Sequence, residues 1–237
     1  MKATTFFLLG ILIIVPCFGQ TLTGKELLEK SISYHDPNQS WDTFKDKLFV
    51  TMETPNSADR NSEIHIDLAK QYFYIKATKD TISTEYTLNK SACSIAFNGS
   101  KNPSEKIKQE HKLSCERATM YRDYYTYLYG LPMKLKDKGT IIDPIVQSTK
   151  FKGKDYLVLK VTYEKAVGND TWYFYFNPKN YAMEIYQFFH DEAKNDGEYI
   201  LLTNEEIIHD IKMPKNRAWY MNKDDVYLGK DILKSSF

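Results

Sequence analysis

The stretch ISTEYTLNKSACSIAFNG, residues 82–99, decides the fold. Ile82, Thr84, Tyr86 and Leu88 alternate with Ser83, Glu85 and Thr87. Cys93, Ile95 and Phe97 repeat the pattern up to a turn at Asn98-Gly99. A period of two with one apolar phase is the mark of an antiparallel sheet with one buried face. The same period runs upstream through Leu48, Val50 and Met52, and through Ile64, Ile66 and Leu68. Downstream it returns in Leu157, Leu159, Val161 and Tyr163, then in residues 172–176, 182–190 and 198–209. Met213 to Met221 reads as a last short strand, and its Pro214 places it at an edge. Residues 100–112 read as a polar loop, and the tail after Asn222 is charged and short of apolar residues.

Two segments break this period. Thr23-Gly24-Lys25-Glu26 forms a capping box, Leu27, Leu28, Ile32 and His35 follow at helical spacing, and Asp36-Pro37 ends the run. A helix is therefore predicted over 24–35. Residues 116–129 contain neither Gly nor Pro and stop at Gly130-Leu131-Pro132. One face of that second helix carries Met120 or Tyr121 with Tyr124, Tyr125 and Leu128. The expected architecture is α+β and mainly antiparallel β. About ten strands form a strongly curved sheet or incomplete barrel, with an N-terminal helix and a helix capping the concave face. No βαβ alternation points to a nucleotide-binding scaffold.

The first residues read as an export signal: Lys2, an apolar run over 6–15, and small residues at Cys17 and Gly19 before a cut between Gly19 and Gln20. The alternative is acylation at Cys17. Residues 20–237 then form a single exported domain in the periplasm, cell envelope or medium. The apolar run is too short to span a bilayer. The chain has 32 basic and 31 acidic residues, and Lys2 is the one charge in the signal, so the mature part is balanced. That excludes the basic footprint of a nucleic-acid binder. The mature part keeps two cysteines, Cys93 and Cys115. In an oxidising compartment one pairing is open to them, the alternative being two buried thiols.

No nucleophile elbow, HExxH, P-loop or dinucleotide fingerprint stands in the chain, and no cofactor or metal site is expected. Three His-Asp pairs stand at 35–36, 190–191 and 209–210, but neighbours on a strand point to opposite faces, so one pair cannot jointly hold an ion there, and the hairpin register keeps His190 and His209 apart. With a hairpin turn near 194–195, His190 falls opposite residue 199 and His209 opposite residue 180. The stronger signal is aromatic surplus: 18 Tyr and 13 Phe, with large side chains on both faces of 72–75, 172–176 and 183–189. Either a closed core absorbs them or they line a ligand cavity. The cavity reading places Met120, Tyr124, Tyr125, Leu128, Trp172 and Phe174 around an apolar pocket, with Leu131 and Met133 in a movable lid after Gly130.

The segments Thr23-Gly24-Lys25-Glu26-Leu27-Leu28, Tyr34-His35-Asp36-Pro37, Tyr124 through Pro132, and Asp224-Asp225-Val226-Tyr227-Leu228-Gly229 resemble an uncharacterised family of exported bacterial proteins. The order of elements is similar to that of the periplasmic lipoprotein carriers of the LolA/LolB type. That resemblance implies an incomplete barrel plugged by helices, an acyl chain, lipid or lipoprotein as ligand, and no catalytic residue. A monomer is expected. The competing readings are a closed envelope interaction module and a hydrolase with a dispersed Ser-His-Asp or carboxylate site.

Overall fold

The computed structural model describes residues 22–234; the expected signal, its cleavage site and Cys17 lie outside them. Helix α1 (Gly24–His35) starts at the predicted capping box, with Thr23 and Glu26 each accepting from the other's backbone N–H. Five strands follow: β1 (Lys45–Glu53), β2 (Arg60–Asp67), β3 (Tyr72–Lys79), β4 (Ile82–Asn89) and β5 (Ala92–Phe97). Two helices come next, α2 (Glu105–Glu110) and α3 (Cys115–Gly130). Seven strands complete the chain: β6 (Thr140–Phe151), β7 (Lys154–Tyr163), β8 (Thr171–Phe176), β9 (Met183–Phe189), β10 (Glu198–Ile208), β11 (Ile211–Met221) and β12 (Tyr227–Lys234).

All twelve strands form one antiparallel sheet in the order β5-β4-β3-β2-β1-β12-β11-β10-β9-β8-β7-β6. Each half is a meander, and the halves meet where β1 pairs with β12. The sheet's edges are β5 and β6, which are successive strands in the chain. The connection between them must therefore travel the width of the sheet. It carries α3 across the concave face, so this topology is what puts a helix there.

Three expectations are corrected. The tail holds a strand, β12, that joins the two halves. β11 is an interior strand of eleven residues, and its pairing with β12 begins at Asn216. Pro214 thus falls before that ladder starts and removes no bond from it. The polar stretch 100–112 contains α2, capped by the Ser104 hydroxyl.

The main core lies on the concave side. Leu27, Leu28 and Ile32 of α1 and Tyr125, Leu128 and Tyr129 of α3 pack on Leu48, Ile64, Phe73, Phe174 and Tyr186. Each such side chain contributes roughly 1.5–3 kcal/mol on burial. Aromatic residues on the convex side form a second cluster of Tyr156, Val158, Tyr175 and Ile185, covered by Phe151. Phe151 ends β6 yet its ring lies 5.3 Å from that of Tyr199 on β10, so the β6–β7 turn folds over the outer face. Part of the aromatic surplus is absorbed here and more of it in the main cluster.

Cys93 and Cys115 form a disulfide that fastens the start of α3 to the edge strand β5. It closes a loop of 23 residues, for which chain entropy gives about 3.4 kcal/mol. Alkylation of the unreduced protein should label neither cysteine. The Cys93→Ser/Cys115→Ser variant should lose about 2–4 kcal/mol in denaturant unfolding.

Candidate functional site along helix α3

On α3, Ala118, Tyr121, Tyr125, Leu128 and Tyr129 are buried, a spacing that puts them on one stripe facing the sheet. Met120 is 55 % exposed and lies off that stripe. Of the two residues open for this face, Met120 and Tyr121, it is Tyr121 that takes the inward position.

The sheet beneath this stripe is partly charged. Arg217 and Asp231, each 1 % exposed, are cross-strand partners. Asp231 faces Met52, and Met52 faces Arg60. These four side chains form a row across the concave floor. Arg217 donates to the carbonyls of Pro214 at 3.0 Å and Leu128 at 3.3 Å, and its guanidinium lies 3.8 Å from the Tyr129 ring centroid. A cation at the last carbonyls of a helix satisfies orphan acceptors and the helix dipole together. Arg60 donates to the Tyr125 hydroxyl at 3.2 Å. The Tyr124 hydroxyl donates to Asp231 Oδ2 across 3.5 Å, while Asp231 Oδ1 makes no hydrogen bond. Burial pushes the Asp231 carboxyl up, against the pull of Arg217 and Arg60. Burial likewise raises the Tyr124 and Tyr129 phenols well above their ordinary value.

Two openings flank α3. One is a cleft of about 500 Å³ lined by Tyr124, Tyr127, Thr140, Tyr163, Val167 and Asp170. The hydroxyls of Tyr127 and Tyr163 share a hydrogen bond across it. The other, of about 250 Å³, is lined by Met52, Tyr124, Glu198, Trp219, Gly229 and Asp231. Tyr124 belongs to both. Between them runs an aromatic floor. Trp172 lies 5.8 Å from Tyr127 and 4.9 Å from Phe188, and Trp219 lies 6.3 Å from Tyr186 and 6.5 Å from Tyr124. Gly229 sits in this floor at φ 145°, a region of backbone space kept for glycine. A Cβ there would meet the Glu53 carbonyl oxygen at 2.4 Å.

The structure brings Tyr124 to both openings, and Trp172 lies behind Tyr127 without lining either. Tyr125, Leu128 and Phe174 are buried against the sheet. Leu131 and Met133, read as a movable lid, are buried in the same core. Gly130 allows that packing: a Cβ there would fall 2.2 Å from the Trp41 ring. Tyr163, Phe188, Trp219, Arg60, Arg217 and Asp231 are not among the residues the sequence singles out. The signal for the last three was a charge standing in the apolar phase of a strand.

The histidines are separate. His35 Nδ1 donates to the Lys212 carbonyl at 2.7 Å, and Met183 N–H donates to its Nε2 at 2.9 Å. That fixes a neutral ring tying α1 to the sheet, and burial lowers its pKa. Asp36 accepts from the backbone of Ser40 and Trp41. His190 contacts Asp170 on the surface. The β9–β10 register pairs Tyr199 with Gln187, about three residues from the expected one. Among the described residues no group of three or more His, Cys, Asp or Glu is placed to hold a metal, and no helix is long and apolar enough to cross a membrane.

The fold is LolA-like. A LolA superfamily protein of Nitrosomonas europaea superposes with a TM-score of 0.53 at 12% identity, over 91% of this chain and 93% of that one. An outer membrane lipoprotein-sorting protein domain of Vibrio parahaemolyticus gives 0.48 at 9% identity, over 90% and 92%. A DUF1329 family protein of Desulfovibrio piger gives 0.47 at 6%, over 89% and 91%. The first likeness establishes the fold and nothing finer, and the other two are too distant to argue from. No protein of curated function matches the sequence. The match to a family is at the level of sequence and covers residues 2–234: the chain belongs to the Family of unknown function (DUF6503).

Proposed function

We propose that the protein is an exported, non-enzymatic binder of a lipid, acyl chain or other amphiphile, held along the flank of α3. The observation that carries this reading is the 500 Å³ cleft beside Tyr124, Tyr127 and Tyr163, backed by a floor of partly buried aromatic rings. Tyrosine rings give such a cleft apolar walls while their hydroxyls find hydrogen-bond partners, here each other and Asp231. Each Å² of apolar ligand surface removed from water contributes roughly 25 cal/mol. Its volume lies within the range of about 300–1,000 Å³ of small-molecule sites. The disulfide suits an oxidising compartment, in keeping with the signal read at residues 1–19.

The closed-module reading has its own support: Tyr125, Leu128 and Tyr129 fill the space directly under α3. Uptake of a fluorescent fatty acid separates the two. Val167 lines the cleft and is 58 % exposed, so Val167→Asp should leave the unfolding midpoint unchanged. It should weaken uptake about tenfold or more, because the ligand then meets a charge. A wild-type protein that takes up no such probe, and carries no lipid by native mass spectrometry, would favour the closed module.

A further inference from the structure

The smaller opening has a different character from the cleft. Its two aromatic walls, Tyr124 and Trp219, lie nearly parallel at 17° with centroids 6.5 Å apart. Its deepest polar group is the Asp231 carboxyl, 1 % exposed, whose Oδ1 has no hydrogen-bond partner. A buried carboxylate oxygen left unpaired is costly and is satisfied by a donor. The neighbouring guanidiniums donate elsewhere, Arg217 to the Pro214 and Leu128 carbonyls and Arg60 to Tyr125, and the Trp219 indole N–H pulls on the carboxyl without closing a hydrogen bond to Oδ1. At the mouth, Lys230 is paired with Glu53 at 3.1 Å, while Glu198 makes no ion pair with a lysine or arginine among the described residues. The side presented to a ligand is therefore acidic and aromatic.

We infer that the opening formed by Tyr124, Trp219, Glu198 and Asp231 receives a cationic headgroup, an alkylammonium or quaternary ammonium, whose tail lies along α3. This rests on the amphiphile reading above and adds the headgroup's charge. Ring faces attract ammonium ions, and a desolvated carboxylate behind them supplies the opposite charge. An opening of about 250 Å³ admits a headgroup of a few heavy atoms. Tyr124, shared with the larger cleft, marks the junction of head and tail. An anionic headgroup would instead face two carboxylates, with the guanidiniums walled behind them.

The test compares dodecyltrimethylammonium with laurate, both below their micelle concentrations, by calorimetry and tryptophan fluorescence on the mature protein. The ammonium amphiphile should bind about tenfold more tightly. Asp231→Asn should abolish that preference. Glu198→Gln, a change at a partly exposed site that the fold tolerates, should reduce it, and this keeps the inference open to test if the Asp231 variant folds poorly. Equal affinity, or tighter laurate, would overturn the headgroup assignment and leave the amphiphile reading standing. Binding of neither probe would remove both. Val167→Asp should weaken both probes alike, and a loss confined to one of them would count against a shared tail site.

Discussion

Arg217→Met should destabilise the protein by roughly 3–5 kcal/mol, the range for removing one member of a buried group of charges. The substitution keeps the length and apolar stem of the side chain, so little of the loss comes from a cavity. It removes two donors. The carbonyls of Pro214 and Leu128 lose their partner, and the last turn of α3 loses its cation. It also removes the ring contact with Tyr129 and the positive charge nearest Asp231, leaving that carboxyl with Arg60 alone. The double variant Arg217→Met/Asp231→Leu should recover most of the loss, since replacing both members of a buried pair by apolar groups is often neutral. The residual deficit reports the helix-end hydrogen bond, about 1–3 kcal/mol for an unsatisfied buried acceptor. Urea unfolding of the wild type, the two single variants and the double variant forms a complete cycle. A single Arg217→Met variant within about 0.5 kcal/mol of the wild type would mean that the buried row does not hold α3.

The strands with apolar inward phases were legible, because Leu48, Val50, Ile64, Ile66, Tyr86 and Leu88 repeat at the pleat period. So were α1 and α3, whose caps and glycine stop are written in the chain. β12 was not legible, because its inward residues are Gly229, Asp231 and Leu233, and one apolar residue in three carries no period. What places β12 is non-local: it fills the gap beside β1 that the two meanders leave. The inward phase of α3 was ambiguous for a related reason. Tyr stands on several sides of the helix, at 121, 124, 125, 127 and 129, so composition alone does not separate Met120 from Tyr121. Tertiary contact with the floor makes that choice. The buried charges were readable in principle. Arg60 and Ser62 precede Ile64 and Ile66 in the same phase, and Arg217 falls in phase with Met213 and Trp219. A reading that counts only apolar residues passes over them, although buried charge is the more informative observation.

Leu131→Asp should abolish the folded state or lower the urea midpoint drastically, and this outcome separates two accounts of the segment after α3. If 131–133 were a lid that opens to admit ligand, a carboxylate there would stay in water and the fold would tolerate it. In the structure Leu131 is 2 % exposed and belongs to the main cluster with Met133 and Leu135. The preceding Gly130 lies so close to the Trp41 ring that there is no room for even a methyl group. A carboxylate at 131 would be set among apolar side chains, so it must stay poorly solvated, take up a proton, or pull the segment off the core. Substitutions that bury an unpaired charge are among the few that exceed about 4–5 kcal/mol, a large part of the roughly 5–15 kcal/mol that holds a domain folded. Far-ultraviolet circular dichroism and urea titration of Leu131→Asp beside Val167→Asp give the contrast. The first should be unfolded or strongly destabilised, and the second should match the wild type. A Leu131→Asp protein with the wild-type midpoint would show that the segment leaves the core readily, and the lid would then be the route by which ligand enters. The expected result leaves the helix end fixed by Leu131 on one side and Arg217 on the other.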